Sequence, residues 1–175
     1  ISRPNFFREL SNEKDIIGIT GTHGKTSTTA LVSHIFQFNN KNVSFIYGGV
    51  SSFGYLGGHC GEDNLPLILE TDEAFNTFKN INIKDLIVTN IDNDHLDFYG
   101  SYENLIDAFS YVIKNVKGVK VLNYDDKNLC LINDKSTISY STTKNSDYKI
   151  QTPSSFEYKN KTYQVSTKLI GDHYL

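Results

Sequence analysis

Methionine and tryptophan are absent from these 175 residues, cysteine occurs twice and proline three times. Cys60 and Cys130 show no ligand spacing around them, which argues against a disulfide framework or a thiolate metal cluster and points to reduced thiols in a cytoplasmic protein. Long apolar runs are missing too. LPLIL at 65–69 is among the longest, far short of the roughly 20 residues a membrane helix needs, and no signal peptide is visible. Nor is there an excess of either charge. Seventeen basic residues face 20 acidic ones, a net charge of −3, which argues against a general nucleic-acid surface or an anionic-membrane surface. With no Met even at position 1, the chain is expected to be a piece of a longer protein.

What is present is core material. Hydrophobic residues make up 38% and charged residues 21%, outside the range of disordered chains. A chain of this length can bury roughly 70% of its unfolded surface without a disulfide or metal staple.

The apolar segments alternate in kind. Residues 15–20 (DIIGIT) read as a short buried strand, and 25–38 as a helix with Leu31, Ile35 and Phe38 on one face. Strands are predicted at 43–47, 66–70 and 85–89. The glycine-rich stretch 48–61 between the first two is too long for a simple turn. A helix is predicted from Ser101, which can cap it, to about Asn115, with Leu105, Phe109, Val112 and Val116 in one stripe. A strand at 119–123 and a short helix near 126–132 follow. Near-continuous apolar strands separated by helices predict an α/β fold with a mostly parallel sheet covered on both faces. After about residue 136 Tyr, Thr, Ser and Ile alternate, and 155–167 read as a hairpin turning at Lys159-Asn160-Lys161. A small antiparallel β appendage is therefore expected.

The sharpest chemical signal is ITGTHGKTSTT at 19–29. Glycines at 21 and 24 sit in a turn between strand and helix, ahead of Lys25 and Thr26. Backbone N–H groups of such a turn, with the helix N-terminus, cradle phosphate oxygens. Lys25 can reach the β- and γ-phosphates and Thr26 can ligate Mg²⁺. The strict G-x-x-x-x-G-K-[ST] pattern is not met, because Ile19 holds the first glycine position. Two polar clusters lie at other predicted strand ends: Glu70 with Asp72 and Glu73, and Asp92, Asp94, His95 and Asp97 in NIDNDHLD. Ligands of open α/β sheets bind beyond the carboxyl ends of the strands, so loop, Glu70 and His95 are expected to converge on one crevice.

GTHGKTSTT, ETDE and TNIDNDHLDFYGSYENLIDAF together resemble the central domain of the Mur ligases, a P-loop-type ATP-binding domain, over nearly the whole chain. The resemblance implies two parts, residues 1–168 as the central ATP-binding domain and 169–175 as the start of a truncated C-terminal domain. It implies that Gly21, Thr22, His23, Gly24, Lys25, Thr26 and Ser27 hold the ATP phosphates, with Thr26 on a first Mg²⁺. Glu70 and His95 are implied as ligands of a second Mg²⁺, and His173 as a contact to adenine. Lys25, Glu70 and His95 are the implied catalytic residues. Where the family has E-A-D-E-S-D, this chain has Glu70-Thr71-Asp72-Glu73-Ala74-Phe75. Where several members carry a carbamoylated lysine it has Ala108-Phe109, so no carbamate is expected.

The activity implied is ATP-dependent ligation of L-alanine to UDP-N-acetylmuramate through an acyl phosphate. The partners implied are those two substrates and the flanking domains of the same parent chain, with neither nucleic acid nor membrane. Attachment of a tripeptide to UDP-N-acetylmuramate, or a P-loop ATP-binding module without ligase activity, stay open at this point.

Overall fold

The structure, a computed structural model, describes residues 2–50, 56–132 and 135–166. His173, the boundary near 168 and part of the glycine-rich stretch lie outside the described residues. The chain opens with helix α1 (Arg3–Glu13), which the apolar pattern did not signal. Pro4 suits its first turn, and Phe7 anchors it in the core. Strand β1 (Ile16–Thr20) leads to helix α2 (Lys25–Phe38), then β2 (Ser44–Val50), β3 (Leu56–His59) and β4 (Leu67–Glu70). A 3₁₀ segment (Ala74–Asn80) connects to β5 (Ile83–Val88). A one-turn helix α3 (Leu96–Tyr99) then precedes α4 (Tyr102–Asn115) and β6 (Lys120–Asn123). The short helix expected near 126–132 is a single 3₁₀ turn, Leu129–Leu131. Strands β7 (Thr137–Ser141), β8 (Tyr148–Thr152), β9 (Ser155–Tyr158) and β10 (Lys161–Gln164) complete the described chain.

The strands form one sheet in the order β10-β9-β8-β7-β6-β5-β1-β4-β2-β3. Pairing is parallel from β2 through β4, β1, β5, β6 and β7 to β8. It is antiparallel only in β2–β3 and in β8–β9–β10. The antiparallel strands are thus continuous with the main sheet rather than a separate layer. Lys159 and Asn160 turn the last hairpin with φ of 49° and 59°, the left-handed pair that a two-residue type I′ turn requires.

Side chains alternate between the two faces of the sheet. Leu67 and Leu69 of β4 and Leu86 and Val88 of β5 join Leu105, Phe109 and Ile113 of α4 in one core. Ile19, Phe45 and Ile68 pack on the opposite face against Ala30, Val32 and Phe36 of α2. The predicted stripe of α4 is buried throughout. The apolar face predicted for α2 is not: Leu31, Ile35 and Phe38 are 46%, 51% and 80% exposed. The buried positions are Thr29 and Ser33, whose hydroxyls donate to Lys25 C=O and Thr29 C=O at 2.8 and 2.7 Å. With their polar atoms satisfied inside the helix, these small residues can lie against the sheet.

At the junction of β6 and β7, Asp125 accepts hydrogen bonds from the hydroxyls of Ser141, Thr142 and Thr143 and from Thr142 N–H. Partial burial alone would raise its carboxyl, but these donors outweigh it and hold the group well below the usual carboxylate range. Among the described residues no helix is long and apolar enough to cross a membrane.

Candidate active site

Because β1 lies between β4 and β5, the segments leaving the carboxyl ends of these three strands meet although they are up to 70 residues apart in sequence. The loop after β1 is held by the exit of β5. Thr22 N–H donates to Asn90 C=O at 3.1 Å and Asp92 N–H donates to Thr22 Oγ1 at 2.9 Å. The Asn90 side chain takes both polar groups of His23, accepting from its N–H at 2.9 Å and donating to its C=O at 3.1 Å. Thr89 Oγ1 adds a bond to His23 C=O at 2.6 Å. Gly21 is buried with φ 133°, and a Cβ there would run into Thr89 Oγ1. The close approach of loop and strand end therefore demands glycine.

Gly24, at φ 81°, turns the chain into α2, whose N-terminus no side chain caps. The first N–H groups of that helix and its positive dipole end are the elements of an anion cradle. His23 points outward, its Nε2 3.5 Å from Asp92 Oδ2, and Ser27 is exposed. Lys25, at the first helical position, folds its Nζ back over the loop to Gly21 C=O at 2.7 Å. It also meets Glu73 Oε2 and Oε1 at 2.9 and 3.1 Å. Thr26 Oγ1 contacts the Glu70 carboxylate at 3.0 and 3.1 Å, and Gly48 N–H donates to Glu70 Oε2 at 2.6 Å.

His95 adopts a left-handed backbone, φ 53°, at the start of α3. Its N–H donates to Asp94 Oδ1 at 2.8 Å and its Nε2 lies 3.7 Å from Glu73 Oε1. The Glu73 side chain is only 1% exposed. Burial raises its carboxyl, while the Lys25 hydrogen bond and charge pull it back toward ionisation. Tyr99 OH donates to Glu73 C=O at 2.5 Å. The phenol is pushed up to about 12 by burial and by the charges of Glu73 and Asp72.

Two groupings result. Thr26 and Glu70 offer hard oxygen donors in contact with each other beside the loop, a set that fits Mg²⁺. One donor atom each from Asp72, Glu73 and His95 lies within 4.8 Å of the others, and Glu70 is not one of that set. The family resemblance implies His95 and Glu70 as ligands of one ion. The structure sets His95 beside Glu73 and Glu70 beside Thr26. Glu73, which the sequence places in the strand-end cluster with Glu70 and Asp72 but gives no role, is the site residue that meets both Lys25 and His95. A surface hollow of about 370 Å³ between the 3₁₀ segment and α4, lined by Phe78, Lys79, Tyr111 and Val112 among others, contains none of these residues.

The model of the Mur ligase middle domain matches residues 70–175. A UDP-N-acetylmuramate–L-alanine ligase of Borreliella burgdorferi is 38% identical over 159 residues, covering 86% of this chain and 34% of that protein. The chain therefore spans about a third of the length of this relative. Among solved structures, a UDP-N-acetylmuramate–alanine ligase of Thermotoga maritima is similar with a TM-score of 0.74 at 26% identity, over 96% of this chain and 39% of that one. A UDP-N-acetylmuramate:L-alanyl-γ-D-glutamyl-meso-diaminopimelate ligase of Neisseria meningitides reaches a TM-score of 0.81 at 21% identity, over 99% and 61%, a likeness of fold.

Proposed function

The chain belongs to the Mur ligase middle-domain family, and from that premise we propose that it is the ATP-binding part of a ligase joining L-alanine to UDP-N-acetylmuramate. The observation that carries this reading is the convergence of Lys25, Thr26, Glu70 and His95 around one uncapped helix N-terminus. Residues 21–27 hold the triphosphate through backbone N–H groups, and Lys25 tracks the γ-phosphate. A carboxylate is a poor electrophile. ATP supplies the phosphoryl group: a carboxylate oxygen attacks the γ-phosphorus, ADP leaves, and an acyl phosphate forms. The amine of L-alanine then attacks the acyl carbon, the acyl C–O bond breaks with its electron pair going to the departing inorganic phosphate, and the nitrogen loses a proton to give the amide.

Transfer of a phosphoryl group is governed by positioning and by charge stabilisation, which is what a lysine at a helix N-terminus beside hard oxygen donors provides. Thr26 and Glu70 would hold one Mg²⁺, and His95 with Glu70 a second, neutralising charge on the phosphates. Residues 169–175, with His173 toward adenine, belong to the next domain in this reading.

The test is nucleotide turnover by the parent polypeptide. ADP release is expected only when UDP-N-acetylmuramate and L-alanine are both present. Release without them marks an ATPase, and release with the tripeptide but not with L-alanine marks a recycling ligase. Glu70→Ala and His95→Ala should each raise the Mg²⁺ requirement, with the double variant little worse than either. Additive losses without a change in Mg²⁺ dependence would separate the two residues.

A further inference from the structure

Glu73 has no part in the chemistry just described, yet its side chain is almost wholly buried beside the phosphate loop. Both its oxygens contact the Lys25 ammonium, at 2.9 and 3.1 Å, and one faces the His95 imidazole at 3.7 Å. Its backbone is pinned from the far side by Tyr99 OH. The other contacts of Lys25 Nζ are loop carbonyls, Gly21 at 2.7 Å and Thr22 at 3.4 Å. Lys25, the ammonium that the described residues set at the mouth of this cradle, thus already has an anion on it. A phosphate oxygen reaching Nζ has to displace that carboxylate or share the ammonium with it, and either arrangement sets two negative groups against each other in a half-buried place.

We propose that Glu73 is the resident counter-ion of the phosphate loop. It holds Lys25 folded across Gly21 while the cradle is empty, and it competes with the triphosphate for Nζ. Nucleotide affinity is then set by the exchange of one anion for another. In this role Glu73 is a positioning residue. It keeps the lysine from sampling solvent, and it weakens the hold on a triphosphate that must later leave as ADP. The inference rests on the phosphate-binding reading of residues 21–27.

The experiment is calorimetric titration with a non-hydrolysable ATP analogue in EDTA, so that no metal bridges the groups, on the wild type and on Glu73→Gln, Glu73→Asp and Asp107→Asn. Neutralising Glu73 without changing its shape should tighten metal-free binding roughly tenfold. Glu73→Asp, which keeps the charge but withdraws it from Nζ by one methylene, should fall between, and it carries the test if the glutamine variant does not fold. Asp107 is exposed on α4 and is not among the contacts of Lys25 Nζ, so Asp107→Asn should stay within about twofold of the wild type.

Unchanged or weaker binding by Glu73→Gln overturns the proposal. So does loss of affinity confined to Mg²⁺-containing buffer, which would make Glu73 a metal ligand. An equal gain in Asp107→Asn overturns it too, because it reports general charge rather than this pair. If the wild type binds no analogue at all, the phosphate reading fails and this inference with it, whereas wild-type binding with an unmoved Glu73→Gln sinks the inference alone.

Discussion

Helices α2 and α4 are both fourteen residues long and both cover the same sheet, one on each face, but they are held in different ways. α4 is placed by burial: Leu105, Ala108, Phe109, Val112 and Ile113 are all within the core, and Ser101 closes its N-terminus by accepting from Asn104 N–H at 3.2 Å. α2 turns two hydroxyl residues inward, leaves Leu31, Ile35 and Phe38 in solvent, and has no side-chain cap. Its orientation is imposed by the loop before it, which Asn90, Thr89 and Asp92 tie to the end of β5. A helix goes where its strongest constraint puts it. For α4 that is the hydrophobic stripe. For α2 it is a set of polar contacts at one end, and no side chain caps its N-terminus, which leaves the first N–H groups of the helix open to an anion in the proposed function.

The comparison can be pressed at both ends. Lys25→Ala removes the only side chain of α2 that reaches over the loop. Ligation by the parent enzyme should fall on the order of a thousandfold or more. A variant keeping a third of the wild-type rate would mean that α2 is not organised around its first turn. In α4, Phe109→Ala empties a fully buried site packed edge-on to Phe78 and should cost about 4 kcal/mol in urea unfolding. A loss below about 1 kcal/mol would place the anchor of α4 elsewhere.

Polar anchoring can be titrated at the β6–β7 junction. The Asp125 carboxyl is depressed in the folded state, so its contribution is fully present above the ordinary aspartate value near about 4 and is lost as pH falls below it. Because the residue is exposed, Asp125→Asn should cost only about 1–2 kcal/mol at neutral pH. The variant should also lose part of the wild type's decline in stability below about pH 4. Equal acid sensitivity in both proteins would count against the network. The smallest effect belongs to the exposed face of α2, where Phe38→Ser should move stability by no more than about 0.5 kcal/mol. A larger loss would show that this face is buried in solution.

The same contrast explains what could be read from the residues in advance. Strands β1, β4 and β5 announce themselves because each is buried on both faces, and α4 because a single stripe meets a single core. The hairpin β9–β10 was legible in Lys159-Asn160-Lys161 flanked by alternating side chains, although Lys161 is already the first residue of β10 and the turn is Lys159-Asn160 alone. The turn between β1 and α2 was legible because its glycines, Lys25 and Thr26 sit close together in sequence. Pairings between distant segments were not. Nothing local shows that Glu73 meets Lys25 rather than solvent, nor that Thr26 rather than His95 touches Glu70. Those contacts follow from β1 lying between β4 and β5, a property of strand order. The inward face of α2 misled for a related reason: Thr29 and Ser33 satisfy themselves on their own helix, so their polarity does not oblige them to face water.

His95 starts α3 in the left-handed region at φ 53°, and that conformation narrows what can replace it. Only Gly, Asn and Asp join histidine in tolerating such a backbone readily, and none of the three carries an imidazole. Drift at this position would therefore follow a channel in which the turn survives and the ring is lost. On the proposed role of His95, a lineage that no longer needed the reaction could lose the imidazole in one step while keeping the turn into α3. For the experimenter the same channel marks His95→Asn as the cleaner deletion, since alanine would add backbone strain to the missing side chain.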